Sequence, residues 1–376
     1  MFNRSRKPKL IKWLKILAIS LLVLTSMGLG IRESLFSGAI LAPQILQPND
    51  SIIDMHVHIA GIGAGNTDCY VAPALRNNMR FNQYLAGFGV SITEIQHKGD
   101  QIAVDKLAER LQGSKTVKGA VLLALDSVIN KEGKIDYEKT EVYIPNEYVL
   151  KQVKRYPKNF YYGASINPYR TDAIERLIAA KKEGAVLIKW IPNIQHIDPA
   201  DSKLIPFYTK MRELNLMLLS HTGQERSFSS ADDTLGDPQR LELPLSLGVT
   251  VIAGHVATTG FNHQQSNYAR ILPLIQKYPN LYADISSLTQ INKLGYLQQA
   301  LNEPRLKGRL IYGSDYPLSN MILTSAWNFP LNLTRAEMAR INQIPNHWDR
   351  DVELKRNLGV PAEVFTLGAQ LITNHH

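Results

Sequence analysis

The segment SIIDMHVH, residues 51–58, is a short run of apolar residues that ends in two histidines. Seven further runs of this kind recur along the chain, and each is followed by a polar or Gly/Pro break. Stretches with helical spacing, such as 172–183 and 268–278, separate most of them. Apolar strands that alternate with helices are typical of a buried parallel sheet. The other seven runs are GAVLLALD (119–126), FYYGASINP (160–168), GAVLIKWIP (184–192), LMLLSHTG (216–223), VTVIAGHV (249–256), LYADISSL (281–288) and RLIYGSDYP (309–317).

Eight strand–helix units predict an α/β fold, a closed (β/α)8 or TIM barrel, rather than an open doubly wound sheet. No G-x-G-x-x-G motif follows the first run, which argues against a dinucleotide-binding fold. The first connection, residues 59–118, is long, and we expect this first βα loop to lie over the catalytic rim of the barrel. The C-terminal segment is predicted to form helices, with Thr334 as the N-cap of a helix over 335–343.

The N-terminus combines a basic arm with an apolar segment. Residues 1–15 hold six basic and no acidic residues, and residues 16–31 carry no charge. This pattern predicts a signal anchor or a cleaved signal peptide; a soluble amphipathic arm is a third reading. Positive charge keeps the N-terminal side in the cytoplasm. We therefore expect a barrel outside the cytoplasm, periplasmic in a bacterium, that is either membrane-anchored or exported.

The chain accordingly divides into three parts: the arm and hydrophobic segment (1–33), a linker (34–50) and the barrel (51–376). The formal net charge is +9, but outside the basic arm 36 basic residues face 33 acidic ones. This near balance does not support a nucleic-acid-binding face. The expected partners are a small-molecule substrate and, through the N-terminal segment, a membrane. The single cysteine, Cys69, excludes an intramolecular disulfide and a cysteine-cluster zinc site.

Metal-binding residue types stand at the ends of four predicted strands. His56 and His58 point to one face of the first strand, because side chains alternate along a strand. His221, His255 and Asp315 end the fifth, sixth and eighth strands. Each residue alone is more often structural, but in a barrel these ends converge on one rim, where active sites are built. Histidines with a carboxylate suit Zn²⁺ with one position open for water, so we expect a metal site here.

Four motifs carry a resemblance to a known family. They are DMHVH (54–58), SHTG (220–223), AGHV (253–256) and YGSDYP (312–317), and GAVLIKWIP (184–192) and LGDP (235–238) add to it. With these motifs the chain resembles the amidohydrolase superfamily, specifically the branch labelled amidohydrolase family 2, over roughly residues 51–372. The motif set is specific for fold and metal chemistry, and it does not specify a substrate.

The resemblance implies a role for each of the strand-end residues. His56, His58, His221 and Asp315 look like metal ligands, and His255 looks like a residue that joins a second metal or polarises the substrate carbonyl. Asp315 also looks like the general base that moves the proton of the attacking water. The implied activity is metal-dependent hydrolysis of a C–N or C–O bond in an amide, ester or lactone. The resemblance favours a divalent metal, Zn²⁺, with one ion rather than two.

Other residues near predicted strand ends leave alternatives open. Lys189 could be a carbamylated metal bridge, a cation that contacts a substrate carboxylate, or a structural partner. Trp190, Arg226 and Tyr316 are candidates for the substrate pocket, although core packing or a solvated loop would also account for them.

Two other functions remain as alternatives. A nonoxidative metal-dependent decarboxylase could use the same ligands on the same barrel, with Lys189 or Arg226 holding the substrate carboxylate. A non-catalytic binding module is the second alternative, and the intact ligand set argues against it.

Overall fold

The computed structural model describes residues 6–35, 45–47 and 50–375, so most of the predicted linker lies outside the described residues. Eight parallel strands form one sheet, and their order in space follows their order in the chain. The predicted TIM barrel is therefore confirmed. The strands are β1 (Ile52–His58), β2 (Val117–Leu123), β3 (Phe160–Ala164), β4 (Ala185–Trp190), β5 (Met217–Ser220), β6 (Val251–Ala253), β7 (Leu281–Asp284) and β8 (Leu310–Ile311).

Backbone hydrogen bonds next to β8 join the last strand to the first. The amide of Met55 donates to the carbonyl of Tyr312 over 3.3 Å, and the amide of Asp315 donates to the carbonyl of His56 over 3.0 Å. The β1–β2 ladder also shifts register between Asp54 and Val57. The segments that carry His56, His58 and Asp315 are thereby held side by side at the C-terminal end of the barrel.

Helices surround the sheet, and four of them lie in the long first connection. Apolar residues of the outer strand faces and of these helices form the larger of two cores. The helices are α1 (Arg6–Leu35), α2 (Pro73–Arg76), α3 (Met79–Phe88), α4 (Ile92–Lys98), α5 (Gln101–Gln112), α6 (Asn146–Arg155), α7 (Ala173–Lys182), α8 (Pro192–Gln195), α9 (Ile205–Glu213), α10 (Glu242–Ser246), α11 (Asn267–Lys277), α12 (Tyr296–Leu301), α13 (Arg335–Asn342), α14 (His347–Asn357) and α15 (Ala362–His375).

The C-terminal helices stabilise the barrel as well as covering it. Thr334 caps α13 with a complete capping box, in which Glu337 bonds back to the Thr334 amide. Leu371 and Ile372 of α15 belong to the second core, together with inward-facing strand residues such as Met55. A side chain at Gly368 would collide with Met55, so this helix approaches β1 as closely as a glycine allows.

The N-terminal helix α1 has 30 residues, and none of its apolar window Leu10–Gly30 is buried. Within the described part of the chain, it is the one helix that is long and apolar enough to cross a membrane. An anchor and a signal sequence share these properties, so the choice between them stays a prediction.

Candidate metal centre and active site

A cavity of about 200 Å³ opens at the C-terminal end of the barrel. Its polar part is lined by His58, His221, His255, Asp315 and Lys293. Apolar side chains from the first connection and the segment after β2 form much of the remaining wall. These residues are Ile62, Val71, Leu75, Phe81, Leu85, Phe88, Val142 and Ile144.

His56 is fully buried below the cavity, and its two ring nitrogens have different partners. Nδ1 donates to Oδ2 of Asp284 over 2.8 Å, so the proton lies on Nδ1 and Nε2 presents its lone pair. A histidine that binds a metal ion through Nε2 needs this tautomer. Nε2 of His56 lies 3.2 Å from Nε2 of His58 and 2.9 Å from Nζ of Lys189. The two imidazoles of β1 thus converge, as their spacing predicts.

Asp315 brings a carboxylate to the same point. Its Oδ1 lies 3.7 Å from Nε2 of His56 and 3.6 Å from Nε2 of His58, and its Oδ2 lies 3.8 Å from Nδ1 of His255. Burial raises the pKa of Asp315 to about 7, against the opposing charges of Lys293 and Lys189. A carboxylate with this pKa can exchange a proton near neutral pH.

His255 and His221 complete the group of histidines. The His255 amide donates to Oδ1 of Asp284 over 2.8 Å, and its Nδ1 lies 2.8 Å from the Ser286 hydroxyl. The ring centroids of His221 and His255 are 5.0 Å apart. His221 Nε2 is buried without a hydrogen-bond partner among the described residues, and Nδ1 lies 3.7 Å from Glu225 Oε2.

These residues fit a divalent metal. Two sets have ligand atoms within 4.8 Å of one another: His56, His58 and Asp315, and His56, His255 and Asp284. Burial lowers the pKa of all four histidines well below its usual value, which keeps the rings neutral as metal ligands must be. The unpartnered Nε2 of His221 is also available to a ligand, although His221 belongs to neither of the sets found among the described residues.

Two lysines place positive charge beside these donors. Lys189 is fully buried, and Lys293, in the segment after β7, donates to the Ser287 hydroxyl over 2.8 Å. Burial lowers the pKa of each lysine to about 8. Such an amine is more readily deprotonated than a surface lysine. The three readings of Lys189 stay open, since bridging, substrate contact and structural pairing are all compatible with its place beside His56.

The predicted pocket residues fall into two groups. Arg226 lines the cavity, where its guanidinium donates to the Gln224 side chain over 2.8 and 3.0 Å. Trp190, by contrast, is fully buried, stacks on Phe207 and donates its indole N–H to the Ile166 carbonyl. It faces the surrounding helices because it alternates with Lys189 along β4.

Tyr316 does not line the cavity either. It is fully buried, packs edge-on against Phe88 and lies near Trp348, and its hydroxyl accepts a hydrogen bond from Arg110 over 3.0 Å. Tyr316 therefore supports the wall from behind, because it follows the inward-pointing Asp315 directly in the chain.

Three further polar residues of the site are absent from the sequence-based prediction: Asp284, Lys293 and Glu225. Asp284 ends β7, so the strand-end signal that identifies Asp315 would also have found it. Lys293 and Glu225 line the cavity from segments beyond strand ends, and only folding brings them there.

Comparison with known proteins places the chain in a family. A family model described as Amidohydrolase matches residues 53–342, most of the chain. No curated protein matches the sequence at a significant level.

Several solved structures share the architecture. An uncharacterised TIM-barrel protein from Bordetella bronchiseptica is 16% identical, with a TM-score of 0.53 over 86% of this chain and 99% of that one. The 2,6-dihydroxybenzoate decarboxylase from Rhizobium is 14% identical, with a TM-score of 0.42 over 77% and 98% of the two chains. The 5-carboxyvanillate decarboxylase from Novosphingobium aromaticivorans, complexed with manganese, is 11% identical, with a TM-score of 0.48 over 88% and 98%. At these sequence identities the similarity concerns the fold alone. Of these three structures, only the Bordetella protein has a TM-score above 0.5, so the comparison of folds rests on that protein.

Proposed function

The chain belongs to the amidohydrolase family, and from this premise we propose that it is a metal-dependent hydrolase of a small-molecule substrate. The bond cleaved is a C–N or C–O bond in an amide, ester or lactone. One observation carries the proposal: the Asp315 carboxylate lies within 3.8 Å of ring nitrogens of His56, His58 and His255 beside the cavity. A proton acceptor, candidate metal ligands and room for a substrate therefore occur at one place.

In this proposal His56, His58, His221 and Asp315 hold one divalent ion, and Zn²⁺ suits their nitrogen and oxygen donors. The ion supplies Lewis-acid activation of water near neutral pH. Asp284 holds the His56 ring in the tautomer whose Nε2 faces the site, through the 2.8 Å bond to Nδ1.

The chain's own groups would then handle the protons and the substrate. Asp315 accepts the proton of the attacking water and returns it to the departing nitrogen or oxygen. His255 contributes an imidazole at the cavity, where it can polarise the carbonyl oxygen of the substrate. The apolar wall excludes bulk water, which strengthens both electrostatic effects.

A nonoxidative decarboxylase is the second candidate. Lys293 and Arg226 line the same cavity, and either cation could hold the carboxylate that such an enzyme removes. A non-catalytic binding module is the third candidate, and the convergent donor atoms argue against it.

We further propose that residues 51–376 form the enzyme and residues 1–33 attach it to a membrane or direct its export. The exposed apolar window of α1 and the basic residues before it support this assignment. The barrel would then lie outside the cytoplasm, in the periplasm if the source is a bacterium.

The Asp315→Asn variant tests the mechanism. Asn retains the shape and one ligand oxygen but lacks a basic oxygen, so we expect metal content to persist while turnover falls about 10²–10⁴-fold. Turnover would be measured on panels of esters, lactones, amides and aromatic carboxylic acids. His97→Ala is the matched control, because His97 is exposed on α4 outside the cavity, and it should behave like the wild-type chain.

Each outcome separates the candidates. Near-native turnover in Asp315→Asn would rule out Asp315 as the general base. Release of carbon dioxide without hydrolysis would favour the decarboxylase. A wild-type chain that binds no transition metal would favour the binding module.

A further inference from the structure

Large apolar side chains are exposed in the segments that follow β7 and β8. Ile322 is 93% exposed and Leu331 is 80% exposed, so most of each apolar side chain contacts solvent. A group of such side chains is typical of an interaction surface. Elsewhere on the barrel, Ile178 and Ile205 are exposed singly on side helices, and Phe261 is exposed in the segment after β6. We call the following set the rim patch: Ile291, Leu294, Ile322, Leu323, Trp327 and Leu331.

Hydrogen bonds connect the two segments of the rim patch. The Ile291 amide donates to the Leu323 carbonyl over 3.0 Å. Within the segment after β8, Asn328 donates its side-chain N–H to the same carbonyl over 3.0 Å. Gln290 and Thr324 add an antiparallel bridge. The two segments that carry the patch are therefore joined where Ile291 and Leu323 lie.

The rim patch adjoins the mouth of the cavity. Gln290, Lys293 and Leu318 line the cavity from the same two segments that carry the exposed side chains. Since both segments follow the C-terminal ends of strands, patch and cavity lie on the same face of the barrel.

The N-terminal helix indicates what could cover this patch. The window Leu10–Gly30 has 21 residues and a mean hydropathy of 1.8, and a helix of that length spans about 30 Å, the thickness of a bilayer core. Sixteen residues separate α1 from β1, and they can extend over at most about 55 Å. The two ends of the barrel are separated by about the length of a seven-residue strand, about 23 Å. The connecting residues can span more than this distance, so either end of the barrel can face the membrane.

We propose that the rim patch docks on the lipid bilayer, so that the cavity opens toward the membrane. This inference rests on the proposed membrane attachment and gives it an orientation. Trp327 suits the headgroup region, where tryptophan is enriched, and the aliphatic members suit the acyl-chain boundary. The apolar wall formed by Phe81, Leu85 and Phe88 would then receive the apolar part of a substrate that enters from the lipid.

Labelling of single cysteines in the full-length chain tests the proposal. The variants Ile322→Cys and Leu331→Cys place a nitrobenzoxadiazole fluorophore on the patch, and Ile178→Cys is the matched control on the outside of α7. Leu21→Cys reports on the anchor. Cys69 is buried and its thiol pKa is raised, so it should not react.

The labelled proteins would be reconstituted into vesicles of phosphatidylcholine and phosphatidylglycerol with brominated acyl chains, which quench fluorophores in the bilayer. We expect the labels at 322, 331 and 21 to lose at least half of their emission relative to unbrominated vesicles, and the label at 178 to lose none.

Two results would overturn the docking. If the labels at 322 and 331 respond like the one at 178 while the label at 21 is quenched, the chain is anchored but the rim patch does not touch lipid. Iodide quenches fluorophores that are exposed to water. If neither iodide nor brominated lipid quenches the labels at 322 and 331, a protein covers the patch instead of lipid. An unquenched label at 21 would refute the membrane attachment itself, and the docking with it, while leaving the proposed catalytic site untouched.

Discussion

Replacing Asp284 by Asn changes one atom of a fully buried side chain that touches two histidines of the site. Oδ2 accepts from Nδ1 of His56 over 2.8 Å. Oδ1 accepts from the amides of His255 and Ser286 over 2.8 and 3.1 Å. In Asp284→Asn the remaining oxygen can serve the two amides, and the new NH₂ group then faces Nδ1 of His56.

A donor that faces Nδ1 forces the His56 ring into the other tautomer. Nδ1 must then accept the hydrogen bond, and the proton moves to Nε2, the nitrogen that faces His58. A protonated Nε2 cannot bind a metal ion. We therefore expect metal affinity to fall by about 10–100-fold, the usual effect of losing the partner of a ligating histidine. In free energy this corresponds to about 1.4–2.8 kcal/mol.

The variant should also lose stability, because a poorly matched group in the core costs about 1–3 kcal/mol. Three measurements separate the effects: competition with a chromophoric chelator for metal affinity, urea denaturation for the free energy of unfolding, and proton–nitrogen NMR of the histidine rings for the tautomer.

Asp237→Asn is the matched control. Asp237 is a buried carboxylate that accepts two hydrogen bonds from Arg270 over 2.9 and 2.7 Å, and it does not line the cavity. Its loss should lower stability and leave metal affinity and the His56 tautomer unchanged. If Asp284→Asn binds metal as tightly as the wild-type chain, or if His56 keeps its proton on Nδ1, the tautomer argument fails.

Two pH effects follow from the same site. Burial raises the pKa of Asp315 from 3.8 to about 7, so the folded chain binds this proton more tightly than the unfolded chain. The contribution of Asp315 to the stability of the chelator-treated protein, taken as the difference between the wild-type chain and Asp315→Asn in urea denaturation, should therefore fall as the pH rises from about 4 to 7, by up to about 4 kcal/mol; a difference that rises over this range would contradict the sign. Lys293 is the strongest charge that lowers the Asp315 pKa, so Lys293→Met should move the acidic limb of the kcat/KM profile to higher pH, and an unmoved limb would contradict this coupling.

The repeated pattern of apolar runs was enough to predict the fold. Eight buried strands at regular spacing leave few arrangements in which every strand is covered on both faces, and a closed barrel is the common one. The long first connection, the helices near the C-terminus and the Thr334 cap were readable for the same reason, since each depends on local spacing or on a short motif.

The candidate ligands were also readable, because parallel strands end at the same rim. His56, His58, His221, His255 and Asp315 needed only a strand assignment to be grouped. Strand position groups these residues, but it does not assign their chemical roles.

What only the tertiary structure decided is which neighbours each side chain meets. Trp190 and Tyr316 stand beside inward-pointing residues in the chain, yet they face away from the cavity, because the side chain that follows an inward one in a barrel wall usually points outward. Lys293 and the rim patch come from segments whose course depends on packing rather than on local spacing. The sequence thus determined the barrel and the types of residue at its rim, since strand period and strand ends are local properties; the donor distances, the charges around Asp315 and the apolar surface beside the cavity exist only once distant segments are packed together.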